Sequence, residues 1–192
     1  MLVAACCTVC IFVIGLRAED GANTAPAPPM ITLAAQHIFL SQIYYPGEER
    51  PRQPRSTVVF YFTGMDCAPC KLLMPHFLEV VRHVQEAGRD RAHPLRLFMV
   101  NTDSLGRNDE VLAYVNDLGI NPDSEVLLDP YKKASEAFGV TGIPRIFVVS
   151  PHGEISASMT GMNFRGKEDV VQKRIEAFKR ELAQELARAM RR

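Results

Sequence analysis

The sequence predicts an α/β domain with a mixed central β-sheet flanked by helices. Short apolar runs rich in Val, Ile, Phe and Tyr alternate with longer stretches whose apolar residues recur at helical spacing. Near the C-terminus one such run turns through Ser150-Pro151-His152-Gly153 and pairs back on itself as a hairpin. A long amphipathic helix closes the chain, and this order of elements requires both parallel and antiparallel neighbours.

Leu2 to Leu16 is uncharged and almost wholly apolar. It is short for a membrane span, which takes roughly 20 residues, and suits the apolar core of a secretory signal. Cleavage after Ala18, an uncleaved anchor and, least favoured, a lipoprotein at the lipobox-like Val3-Ala4-Ala5-Cys6 are the outcomes, and in each residues 1–18 are expected to send the rest out of the cytoplasm. Glu19 to Pro29 is rich in Pro and Ala and reads as an extended linker, with the folded body over residues 30–192. Ile31 to Tyr45 fits a weak helical stripe or a short strand at Ile43–Tyr45, and Pro46 to Ser56 reads as a solvated loop with three arginines.

Val58 to Phe62 is a buried strand broken at Gly64, and an amphipathic helix follows over about Pro69–Val84. Leu73, Phe77, Val80 (or Val81) and Val84 mark its buried face, and Pro75 removes one helical hydrogen bond and kinks it. Leu95–Val100 is a strand, Asn101–Asn108 a loop, Asp109–Leu118 a short helix and Val126–Leu128 a short strand or extended piece. Tyr131–Phe138 is a helix stopped by Gly139, Ile143–Val149 a strand and Glu154–Thr160 its hairpin partner. From Lys167 the chain is helical to its end, with Val171, Ile175, Phe178, Leu182 and Leu186 facing inward. Phe164 reads as surface filling.

With 192 residues, 47% hydrophobic and 23% charged, the chain has material for one real core. Twenty-two basic residues balance 22 acidic ones, so nothing points to a nucleic-acid partner. Five cysteines are present; Cys6, Cys7 and Cys10 lie in the N-terminal segment and the body carries only Cys67 and Cys70. That distribution argues against a disulfide-stapled scaffold. The pair sits where a strand hands over to a helix. Free N–H groups and the positive end of the helix dipole stabilise a thiolate at Cys67, lowering its pKa below the free-thiol value of roughly 8.5. Cys70, one turn on, is near enough to close a small disulfide ring. Half a zinc site and a purely structural pair are the alternatives. The first lacks a second pair of cysteines beyond Cys70, and His76 does not face Cys67. No metal site is expected, and no cofactor beyond the Cys67–Cys70 disulfide.

Cys67-Ala68-Pro69-Cys70-Lys71 with Pro75, followed by Phe138-Gly139-Val140-Thr141-Gly142-Ile143-Pro144 before a strand, resembles the thioredoxin superfamily. Over roughly Thr57–Lys179 the chain is most similar to its exported, membrane-tethered TlpA/ResA-type reductases. The resemblance implies a thioredoxin-like fold and a thiol:disulfide oxidoreductase. It makes Cys67 the attacking thiolate and Cys70 the resolving thiol. Pro144 would be cis and, with Ile143 and Arg145, would meet an extended substrate segment. Asp66, Pro69 and Lys71 would tune the site. Partners would be proteins bearing thiols or disulfides and a membrane electron donor, with residues 2–16 a tether and the periplasm or another extracytoplasmic space the location. Electron supply to haem-attachment or copper-site cysteines is the expected task. A disulfide oxidase or isomerase, a Cu(I) metallochaperone using Cys67 and Cys70 with Met65 or Met74 nearby, and a redox-inert binding module on the same fold are the other readings.

Several positions depart from that family. Asp66 replaces the usual Trp before the first Cys, and the chain has no Trp at all. Tyr61 takes the place of the buried acid on the first strand, Leu73 that of a glutamate found in some reductases, and Arg145 that of a small hydroxyl residue. Asp66 opposes the Cys67 thiolate and Arg145 favours it. The two are expected to face each other across the mouth of the site.

Overall fold

A computed structural model describes residues 24–40, 56–89 and 94–191. The apolar N-terminal segment, Ile43–Tyr45 and the arginine-containing loop before Ser56 lie outside these residues. Among the described residues, seven strands form one sheet: β1 (Pro29–Thr32), β2 (His37–Phe39), β3 (Thr57–Thr63), β4 (Leu95–Asn101), β5 (Val126–Leu128), β6 (Arg145–Val149) and β7 (Ile155–Thr160). Their spatial order is β2-β1-β5-β4-β3-β6-β7. β3, β4 and β5 run parallel, whereas β6, β7, β1 and β2 join antiparallel. The helices are α1 (Ala68–Ala87), α2 (Asn108–Asp117), α3 (Lys133–Ala137) and α4 (Glu168–Ala189). The sheet is mixed and flanked by helices, as the sequence predicts.

β3 is the centre. All seven of its residues are buried, and alternate side chains enter different cores. Val59 and Tyr61 pack with Leu73 and Phe77 of α1, Val111 and Val115 of α2, and Phe178 and Leu182 of α4. Val58, Phe60 and Phe62 pack with Phe147 of β6 and with Ala134 and Phe138 around α3. Each large side chain so enclosed contributes about 1.5–3 kcal/mol relative to exposure. A strand clamped on both faces is a rigid base for whatever stands at its C-terminal end.

α1 continues through Pro75, whose side chain is exposed, so the lost N–H faces water and not the core. α4 buries Ile175, Phe178, Leu182, Leu186 and Ala189, while Val171 is half-buried. Phe164, expected as surface filling, packs against the larger core.

The largest difference from expectation lies at the start. Residues 31–39 form a β1–β2 hairpin instead of a helical stripe, turning at Ala35, which has φ +59°. Its Thr32 Oγ1 accepts from the Gln36 N–H at 3.1 Å. The last residues of the expected linker also belong to the domain. Ala25 is buried and donates its N–H to the Gly153 carbonyl at 2.8 Å, and Thr24 bridges to Glu154. Small residues and prolines there are packing material at the hairpin turn, which composition alone does not distinguish from a free tether.

Candidate active site

The site grows from the C-terminal end of β3. Gly64 ends the strand, and the Cys67 N–H donates to the Gly64 carbonyl at 3.1 Å, closing a turn. Cys67 then caps α1: its φ and ψ are extended, and its sulfur accepts from the Cys70 N–H at 3.2 Å. The Cys70 N–H thus points at this sulfur at the positive end of the helix, the arrangement that favours a thiolate. Cys67 and Cys70 form a disulfide with Cα atoms 5.2 Å apart. Cys67 is half-buried and Cys70 wholly buried, so the first cysteine is the more exposed of the pair.

Beneath Cys70 stands Tyr61, which is completely buried. Its hydroxyl donates to the Cys70 carbonyl at 2.9 Å, and its ring lies 4.7 Å from that of Phe77. Burial, with the neighbouring Tyr114, pushes its phenol far above the ordinary tyrosine range, so it stays protonated. In place of a carboxylate the protein has a neutral donor fixed to the backbone of the second cysteine.

The loop before β6 completes the site. The Ile143–Pro144 peptide is cis, as the resemblance implies. Pro69 of α1 faces Thr141 to Arg145 and Thr160 to Met162 across a groove of about 320 Å³. Ile143 reaches back to the β3–α1 turn, where a Cβ on Gly64 would stand 3.2 Å from its Cδ1. Gly161 lies against Pro144: its N–H donates to the Pro144 carbonyl at 2.9 Å, and a Cβ would fall 2.4 Å from the ring Cγ. Glycine at 161 is a requirement of that approach.

The expected meeting of Asp66 with Arg145 does not occur. Arg145 lies over the Phe147 ring, 5.5 Å from its centroid, and hydrogen-bonds Ser158 along β7. It follows the sheet face that its position on β6 dictates. Asp66 instead takes a bidentate ion pair from Arg107, at 2.7 and 3.1 Å. The hydrogen bonds and charge of Arg107, with the charge of Lys71, hold its carboxyl below the usual aspartate range. Lys71 extends over the Tyr114 ring at 5.9 Å. Asp103 secures the same turn by accepting the Met65 N–H at 2.6 Å. Sequence reasoning missed Arg107, Asp103 and Gly161. The only trace of them was a polar loop after one strand and a Gly after another.

A disulfide at a helix N-terminus, its first cysteine the more exposed, beside a groove bordered by a cis-proline, defines a thiol:disulfide oxidoreductase. The chain belongs to the thioredoxin-like family, whose model matches residues 55–155. Solved structures share the fold. A thiol:disulfide interchange protein of the thioredoxin family from Chlorobium tepidum superposes with a TM-score of 0.56 at 17% identity, covering 90% of this chain and 99% of its own. One from Bacteroides sp. gives 0.53 at 22%, over 82% and 89%. StoA from Bacillus subtilis gives 0.50 at 18%, over 82% and 97%. No curated protein matches the sequence.

Proposed function

We propose that the protein is an exported reductase of partner-protein disulfides, acting through Cys67 and Cys70. The observation that carries this reading is the unequal exposure of two cysteines across one helical turn, with the groove of Pro69 and Pro144 alongside. In the reduced protein the Cys67 thiolate attacks one sulfur of a partner disulfide. The partner's other sulfur leaves as a thiolate and takes a proton, and a Cys67–partner disulfide remains. Cys70 then loses its proton and attacks the Cys67 sulfur. The partner leaves with two thiols, two electrons have passed to it, and the Cys67–Cys70 disulfide is restored. A dithiol donor at the membrane would reduce it again.

Pro144 and Ile143 border the groove that would receive an extended partner segment, and Arg145 flanks it. Ala68-Pro69 between the cysteines lacks the histidine of strong oxidants, which supports reduction over oxidation. The apolar stretch at residues 2–16 supports export, with the domain tethered or released outside the cytoplasm. Among the described residues no helix is long and apolar enough to cross a membrane. Cysteines awaiting haem or copper are the partner class favoured.

Trapping tests the proposal. Cys70→Ser, expressed with the full chain, should accumulate mixed disulfides through Cys67 with a small set of exported proteins carrying paired metal- or haem-binding cysteines. Capture of a broad range of secreted proteins, or none, would overturn it.

A further inference from the structure

The turn that leads into Cys67 is held from one side by a single polypeptide stretch, the loop from β4 to α2. Asp103 accepts the Met65 N–H, and Asn101 Nδ2 donates 3.0 Å to the same Asp103 oxygen. Arg107 then grips the next residue, Asp66. Four of its five N–H donors are engaged: Nη1 and Nη2 donate to Asp66, while Nε and Nη2 donate to Glu110 at 3.1 and 2.6 Å. Arg107 is 27% exposed, against 85% for the Asp66 side chain, so the arginine is the fixed partner and the carboxylate is drawn to it.

Asp66 is bonded directly to Cys67 in the chain. A free carboxylate there opposes ionisation of the neighbouring thiol, the reverse of what the helix N-terminus does. The charged groups around it are Arg107, Lys71 on α1, and Glu110 on α2, with Asp103 beside Glu110. Arg107 is the one that touches both flanking carboxylates. A planar fork suits that double grip, where an ammonium would supply only a point charge.

We infer that Arg107 is a positioning residue for the Cys67 thiolate: it offsets the Asp66 charge and holds that carboxylate toward the start of α2, leaving the helix N-terminus to govern the acidity of the attacking thiol. The inference rests on the dithiol reading above and assigns a role to a residue remote from the cysteines in sequence.

The test is the pH profile of iodoacetamide alkylation at Cys67 in the reduced full-length protein, read by fragmentation of the tryptic peptide spanning residues 56–71. Arg107→Ala should slow alkylation about threefold at about pH 6, where few thiols are ionised, and leave the rate at high pH unchanged. Arg107→Lys should fall between the two. In an Asp66→Asn background Arg107→Ala should slow alkylation markedly less, because the nearest charge it offsets is gone. Superimposable profiles for wild type and Arg107→Ala overturn the inference, as does equal slowing in the Asp66→Asn background. Insulin reduction by the wild type, measured alongside, separates the two levels: its absence defeats the oxidoreductase reading whatever the alkylation profiles show.

Discussion

Gly161→Ala is the sharpest perturbation the structure offers. A Cβ at 161 would lie 2.4 Å from Pro144 Cγ and 2.7 Å from Cδ, where ordinary contact begins at 3.4 Å. The proline ring or the β7 end must therefore retreat by about 1 Å, a displacement that costs catalysis up to about a hundredfold when it moves a reacting pair. The Gly161 N–H···O=C Pro144 bond at 2.9 Å also lengthens. Forced overpacking of this kind costs about 1–3 kcal/mol of stability. Gly161 does not have a positive φ, so backbone strain adds nothing and the effect is purely one of approach. The expected outcome is a fall of ten- to a hundredfold in kcat/KM for a disulfide substrate. Urea unfolding should show the loss of stability in the same variant. Gly142→Ala meets open space and should leave stability within about 0.5 kcal/mol of wild type. A Gly161→Ala protein with wild-type stability and kcat/KM would refute the close contact and its part in shaping the groove.

Other outcomes follow from other contacts. Tyr61→Phe removes a buried hydroxyl that donates to Cys70 and should cost about 1 kcal/mol in urea unfolding, with the ring packing on Phe77 kept. Asp129 is buried and accepts from the Ala134 and Ser135 N–H groups and the Ser135 hydroxyl at 2.7–3.0 Å. Asp129→Ala should therefore cost about 2–3 kcal/mol and loosen α3. Burial would raise the Glu125 carboxyl, but hydrogen bonds from Arg82 and from the Asn121 N–H outweigh it, so its folded pKa lies below the ordinary glutamate value. Its stabilising contribution is then complete above that ordinary value and fades as pH falls through the lower folded one. The stability gap between wild type and Glu125→Gln, followed by thermal unfolding, should shrink on acidification below about pH 4.

The parts of the fold legible in the sequence were those with local signatures. The unbroken apolar run Val58–Phe62 marked β3, helical spacing marked α1 and α4, and the Pro-His-Gly turn marked the β6–β7 hairpin. The β1–β2 hairpin was not legible, because its turn uses Ala35 at positive φ without the Gly or Asn that usually announces one. Among site residues, Cys67, Cys70 and Pro144 announced themselves by spacing and order. The Asp66–Arg107 pair bridges 41 positions, and a charge in the sequence does not state which opposite charge the fold brings to it. Asp66 and Arg145 shared a site mouth on paper; in the structure strand alternation turns Arg145 onto Phe147 instead. Gly161 was invisible for a similar reason, since its contact with Pro144 exists only after β6 and β7 pair.

The most direct test of the account is insulin reduction by the dithiol form of wild type, Cys67→Ser and Cys70→Ser. Wild type should turn insulin over and Cys67→Ser should not. Cys70→Ser should stall as an adduct on Cys67. Turnover that survives loss of Cys67, or an adduct that forms on Cys70 instead, would contradict it.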